Sequence, residues 1–317
     1  MKVVAGVDLH TAADGGLRCW LDTEHARGWL TPVSGAGAQD RFMTEFAAAA
    51  HEGFVPADAA VLAMMKTCHP DILPLLSWGD QPAAAPTPST PTCRLDLYAI
   101  VDSAVRVEQV LAAGVKTVQL RIKTPSSPDT RWFDMLRGEI QRCVAACDAA
   151  GAELFVNDHW RLAAEAGASG VHLGQEDMLA LGDAGRAELL ATGMALGISS
   201  HSLWELCRAR TLNPRYIACG PVWPTLTKAM PWRPQGLDNL SWWCRMAGTP
   251  VVAIGGILGV EEVMQAASCG ADGVCIVRGL GDKPQHVVPA LQQALQAGRH
   301  GRPQDQPAWP HPSLANA

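Results

Sequence analysis

The sequence predicts an α/β protein: a (β/α)₈ TIM barrel preceded by a small α/β N-terminal fragment. Three observations carry this. Short β-branched runs alternate with longer Ala/Leu-rich helical stretches, helices close on glycine just before the next run, and unusual polar residues fall immediately after the runs. The eight runs are Leu95–Val101, Val115–Arg121, Glu153–Asn157, Gly170–Leu173, Ala195–Ser199, Tyr216–Gly220, Val251–Gly255 and Gly273–Val277. Helical patterns cover Arg131–Ala150, Asp177–Thr192 and Val260–Ser268. Ala-Gly-Val at 113–115, Ala-Gly-Ala at 166–168 and Cys-Gly-Ala at 269–271 each put a glycine where a left-handed helix cap needs one. An open doubly wound sheet is the competing architecture, and eight units over residues 93–298 favour the barrel.

A barrel of roughly 200–250 residues leaves about a hundred unassigned. Residues 1–77 form a separate fragment, and the Pro/Ala-rich stretch 78–92 reads as a linker. The Pro-rich tail 299–317 reads as flexible. With 48% hydrophobic and 18% charged residues, the chain has the balance of a globular protein with a large core. A net charge of −6 argues against nucleic acid or an anionic membrane surface as partner. The ten cysteines are scattered, without a Cys-x-x-Cys pair, and read as reduced thiols. The N-terminus lacks the apolar stretch of a signal peptide, so the expected location is cytoplasmic.

In a barrel the reacting groups sit where the strands end. Here those positions hold Gln119, Arg121 and Lys123 after the second run, Asn157 and Asp158 after the third, and Asp177 after the fourth. Ser199 closes the fifth run, and Thr225, Thr227 and Lys228 follow the sixth. Period two would aim Gln119, Arg121 and Lys123 the same way. The cations and neutral donors suit an extended polyanion. Asp158 and Asp177 are hard oxygen ligands on neighbouring strand ends, a common way to hold Mg²⁺ with substrate phosphate oxygens and water. Gly255-Gly256, with Val277 and Arg278 nearby, fits a monophosphate held by backbone N–H groups. Two anion sites at one mouth imply two phosphorylated small-molecule substrates.

Taken in order, QLRIK at 119–123, VND at 156–158, GVHLGQED at 170–177, GISSHS at 197–202, GPVWPTLTK at 220–228, QG at 235–236 and AIGGI at 253–257 make the chain resemble thiamine phosphate synthase over the whole barrel. The resemblance implies that Gln119, Arg121, Lys123, Asn157, Ser199 and Lys228 hold a pyrimidine diphosphate, with Arg121, Lys123, Ser199 and Lys228 assisting departure of pyrophosphate. It implies Mg²⁺ on Asp158 and Asp177, and thiazole phosphate on Thr225, Thr227, Gly256, Val277 and Arg278. Arg278 departs from the small hydroxyl residue many relatives carry there. The implied reaction is dissociative: pyrophosphate leaves, and the thiazole nitrogen attacks the pyrimidine methylene cation. Pro221, Pro224, Pro231 and Pro234 exclude a helix over 221–235, which reads as a lid.

Residues 20–68 resemble the C-terminal part of ribokinase-like hydroxymethylpyrimidine (phosphate) kinases. Gly35-Ala36-Gly37 would be the anion-hole turn, but Ala38-Gln39 follows it and Asp40 comes too late for the catalytic position. A remnant without kinase activity is expected, with its Ala-rich helix at 42–50 packed on the barrel or a partner chain; a homo-oligomer is compatible with this. Bland readings compete at several positions. Asp158 and Asp177 also suit helix N-caps, Gly255-Gly256 also suits a plain turn, and His172 and His201 read as structural or supporting. The competing functions are a thiazole-phosphate-binding regulator and a thiazole tautomerase-like paralogue, neither of which needs the diphosphate set.

Overall fold

A computed structural model of the chain describes residues 2–4, 6–12, 15–35, 37–86, 94–225, 231–301 and 308–314. The N-terminal module is an antiparallel meander of β1 (Lys2–Val4), β2 (Val7–Thr11), β3 (Leu17–Asp22), β4 (Arg27–Thr31) and β5 (Leu75–Leu76). Alternation along β3 buries Leu17, Cys19 and Leu21, giving the sheet one apolar face. Against it lie α1 (Gln39–His51) and α2 (Pro56–Cys68). A proline opens α2, where its missing N–H costs nothing. Ala57 and Ala59 to Met65 are all buried, because α2 packs on α1, on the sheet and on the barrel at once.

All eight expected runs form strands: β6 (Asp96–Val101), β7 (Thr117–Leu120), β8 (Glu153–Asn157), β9 (Gly170–Leu173), β10 (Ala195–Ser200), β11 (Tyr216–Cys219), β12 (Val251–Ala253) and β13 (Gly273–Ile276). They pair in parallel, and β13 closes on β6 to complete the barrel. Around it run α3 (Ala104–Ala112), α4 (Thr130–Ala150), α5 (Trp160–Ala166), α6 (Gln175–Ala180), α7 (Gly182–Ala191), α8 (Leu203–Ala209), α9 (Gly236–Met246), α10 (Val260–Ser268) and α11 (Pro284–His300). Gly114, Gly167 and Gly270 all have positive φ after their helices, as the cap reading requires. Cys143 and Cys147 both face the core from α4, and burial pushes their thiols up to about 12 and 11.

The barrel interior is a cluster of its own, containing Leu95, Tyr98, Phe155, Tyr216, Val252 and Cys275. Tyr98, Phe155 and Tyr216 meet at tilted and edge-on angles with centroids 5.2–5.8 Å apart, an arrangement that adds to plain area burial.

Three expectations need correction. The helix expected over Asp177–Thr192 is two helices, α6 and α7, because Gly182 at the start of α7 takes φ +63. β7 ends at Leu120, so Arg121 and Lys123 lie in the following loop and the period-two argument does not reach Lys123. The tail is docked where it is described: Ser313 and Leu314 are buried, and the Ser313 carbonyl accepts from the Arg233 N–H at 2.8 Å. Proline makes a segment extended, and an extended segment can still be pinned by hydrogen bonds. The same holds for Trp78, the first residue of the Pro/Ala-rich stretch. Its indole donates to Thr211 Oγ1 at 3.0 Å, and Arg186 and Arg208 lie over its ring.

Candidate active site

Because the eight strands are parallel, all their C-terminal ends open on one rim. Asn157 and Asp158 end β8, Asp177 lies in the first turn of α6 beyond β9, and Ser199 lies near the end of β10. Thr225 follows β11, Gly256 follows β12, and Val277 and Arg278 follow β13. Thr227 and Lys228 lie outside the described residues. The rim therefore gathers every described site residue except Gln119, which sits deeper.

Exposure separates these side chains. Gln119 is only 2% exposed and points into the barrel, where its Nε2 donates to Tyr98 Oη. Asn157, Ser199 and Arg121 are half-buried, whereas Lys123, Asp158, Asp177 and Arg278 are exposed. Arg121 is close enough to His172, with His201, to help burial lower the His172 pKa. That value falls to about 4, so the imidazole is neutral at physiological pH. His172 joins Tyr216 Oη and Ser199 Oγ, as its expected supporting role requires.

Asp158 has φ +65, a left-handed backbone that few non-glycine residues adopt. Its N–H donates to the His172 carbonyl at 3.1 Å, which ties the ends of β8 and β9 together. Of the two jobs weighed for Asp177 in the sequence, the capping one is seen. Its Oδ2 accepts from the Gly174 N–H at 3.0 Å, a capping bond at the start of α6, while the carboxylate stays exposed. Two exposed carboxylates on adjacent strand ends suit a hard divalent cation. Among the described residues no larger cluster of His, Cys, Asp or Glu could enclose one, so further ligands would have to be substrate oxygens and water.

The diglycine has a structural duty as well. Gly255 and Gly256 take φ +92 and +75, and a Cβ at either would strike Pro221 or Trp223. The Val222 and Trp223 N–H groups donate to the Ile254 and Gly255 carbonyls at 2.9 and 3.0 Å. Glycine here lets the segment after β11 lie against the end of β12.

Sequence reasoning gave no role to Gln235, which closes the base of the 221–235 segment. It is fully buried. Its N–H donates to the Pro221 carbonyl at 2.7 Å, and its Nε2 to the His201 carbonyl at 2.7 Å. Its Oε1 accepts from Asn239 Nδ2 at 2.9 Å. From the tail, His311 Nε2 meets the Gln235 carbonyl at 2.9 Å, and the His311 N–H donates to Asn239 Oδ1. Nearby, His201 pairs with Glu205 at 2.9 Å and stacks on Trp232, which leans on Trp204. Trp204 in turn stacks on His25 of the N-terminal module. The only earlier signal was the QG pair at 235–236.

The module grips α8 directly. Asp58, 1% exposed, accepts the Trp204 N–H at 3.0 Å and a bond from Leu203 at the helix N-terminus. Burial outweighs those donors and pushes its pKa up to about 8. Arg208 Nη2 donates to the Arg27 carbonyl at 2.8 Å, and Arg210 Nη1 to the Leu73 carbonyl at 3.1 Å.

Fold and rim together define an anion-binding (β/α)₈ barrel with its polar groups at the C-terminal ends of the strands. The family model for thiamine monophosphate synthase matches residues 97–280, and the chain belongs to that family. It is 47% identical over 201 residues to the thiamine-phosphate synthase of Neisseria meningitidis serogroup A, covering 62% of this chain and 93% of that protein. With the Rhizobium etli thiamine-phosphate synthase it shares 46% over 193 residues, 60% of this chain and 90% of the other. A solved thiamine phosphate pyrophosphorylase from Pyrococcus furiosus superposes with a TM-score of 0.55 at 26% identity, covering 64% of this chain and 96% of that one. Among the described residues no helix is long and apolar enough to cross a membrane.

Proposed function

We infer that the protein is a thiamine phosphate synthase, a transferase of thiamine biosynthesis. It joins 4-amino-5-hydroxymethyl-2-methylpyrimidine diphosphate to 4-methyl-5-(2-hydroxyethyl)thiazole phosphate, or its carboxylated form, and releases pyrophosphate. The observation that carries this reading is the single rim: parallel strands bring Arg121, Asn157, Asp158, Asp177 and Ser199 to one end of a barrel whose family is established.

In this reading Gln119, Arg121, Lys123, Asn157, Ser199 and Lys228 bind the pyrimidine diphosphate. Thr225, Thr227, Gly256, Val277 and Arg278 receive the thiazole phosphate. Asp158 and Asp177 would hold Mg²⁺, which when bound neutralises charge on the diphosphate. The methylene carbon–oxygen bond breaks, its electron pair leaves with pyrophosphate, and the thiazole nitrogen then forms the new bond to that carbon. Cations and N–H donors aimed at a developing anion lower such a barrier by about 3 kcal/mol or more each. The lid read over 221–235, of which residues 226–230 lie outside the described residues, would exclude water from the cation, with Gln235 at its base.

The N-terminal module is read as a remnant of a ribokinase-like pyrimidine kinase that packs without catalysing, and the protein as cytoplasmic. In the direct test the purified chain is mixed with both substrates and Mg²⁺. Pyrophosphate and thiamine phosphate are expected in equal amounts, with neither formed when any one component is omitted. Pyrophosphate released without the thiazole substrate would refute the reading.

A further inference from the structure

Four hydrogen bonds run in one line through the barrel interior. Gln119 Nε2 donates to Tyr98 Oη at 3.1 Å, and the Tyr98 and Tyr216 hydroxyls are 2.8 Å apart. Tyr216 Oη is 2.8 Å from His172 Nδ1, and His172 Nε2 is 2.9 Å from Ser199 Oγ. The two ends of this line, Gln119 and Ser199, are proposed substrate contacts. The three residues between them have no part in the chemistry described above.

The line has a direction. Burial keeps both phenols protonated, so each hydroxyl has one hydrogen, and the imidazole, with Tyr216 Oη at Nδ1 and Ser199 Oγ at Nε2, offers them one donor and one acceptor. With Gln119 donating at the first link, an acceptor for every hydrogen along the line requires Tyr98 to donate to Tyr216, Tyr216 to Nδ1, and Nε2 to Ser199. The Ser199 hydroxyl hydrogen is then left for an acceptor at the rim, and the Gln119 carbonyl oxygen takes no part in these four bonds. Bonds aligned in this way polarise one another. The seat is also shaped for tyrosine, because a Cβ at Gly197 would overlap the Tyr216 ring and hydroxyl.

We propose that Tyr98, Tyr216 and His172 are positioning residues that fix Ser199 as a hydrogen-bond donor to a diphosphate oxygen and the Gln119 carbonyl as acceptor for the pyrimidine amino group. The proposal rests on the synthase reading. It predicts that breaking the line in the middle weakens the pyrimidine diphosphate at both ends and leaves the thiazole phosphate alone.

The test is steady-state kinetics of Tyr216→Phe, which keeps the ring and removes one hydroxyl. The KM for the pyrimidine diphosphate is expected to rise about tenfold, while that for the thiazole phosphate stays within about twofold. Tyr98→Phe, which does not touch His172, is expected to give the same KM pattern, and it decides the matter if Tyr216→Phe does not fold. Both KM values rising together, or neither changing, would overturn the proposal while an active wild type left the synthase reading standing. An inactive wild type would overturn both.

Discussion

The N-terminal module and the barrel share one hydrophobic cluster but place their polar groups differently. In the barrel, charged and amide side chains from successive strand ends converge on one rim, several of them exposed to receive ligands. In the module, the polar groups at its barrel-facing surface are already taken by α8 and its neighbours. Asp58 caps that helix, the Arg27 and Leu73 carbonyls accept from Arg208 and Arg210, and His25 stacks on Trp204. A surface whose hydrogen bonds are satisfied within the protein supports structure, and one whose donors face outward is equipped for substrate. The module thus reads as a clamp, reaching the 221–235 segment through the His25–Trp204–Trp232–His201 ladder.

The largest effect should come from removing residues 1–92. Arg208, 2% exposed, would lose its carbonyl partner, and α8 its cap and cover. The buried faces of α8 that α2 and β5 cover would be exposed to water, so a fall in melting temperature of about 10 °C or more is expected. A trimmed barrel that melts with the full chain would show that the clamp carries no weight. Next comes Gln235→Ala, which leaves the His201 carbonyl without this donor and takes one of two acceptors from the Asn239 amide at a buried site. A loss of about 2–3 kcal/mol by denaturant titration is expected; one below about 0.5 kcal/mol would remove Gln235 as the base of the segment.

A further effect concerns Asp58 and depends on pH. Its folded pKa is raised to about 8, so the folded state keeps a proton that the unfolded chain has lost, and this contribution disappears as pH rises from about 4 through 8. Asp58→Asn keeps the acceptor for the Trp204 N–H without the titration. The variant should match wild type at pH 5 and melt higher at pH 8.5, and equal melting at both would show that the carboxyl is not held protonated. His172 acts in the opposite sense. Its folded pKa is depressed to about 4, so stability is lost as pH falls from the unfolded value near 6.5 toward 4.

The barrel was legible in the sequence because buried parallel strands read as continuous β-branched runs and their helices end on glycine. The rim was legible because polar residues follow those runs. The module was legible only as a small α/β fragment with a helix at 42–50; its individual strands were not placed, because they are short and carry His10, Arg18 and Trp20 between the apolar positions. The line through Tyr98 and Tyr216 was hidden for another reason. Both look like ordinary buried aromatics in their strands, and their hydroxyls meet across 118 residues of sequence. The docking of His311 was hidden because a Pro-rich segment shows no period, and its partners, Gln235 and Asn239, belong to a distant element.

The division of labour between barrel and module can be measured in one assay. Asp158→Ala alters the rim, whereas Arg18→Ala alters a cavity of about 330 Å³ in the module lined also by Gly16, Thr31, Ser34 and Gly35. With both substrates and Mg²⁺ present, Asp158→Ala should reduce pyrophosphate release by about a thousandfold or more, with binding of the thiazole phosphate retained, and Arg18→Ala should leave turnover unchanged. Full turnover by Asp158→Ala, or its loss in Arg18→Ala, would contradict the assignment of the chemistry to the barrel rim.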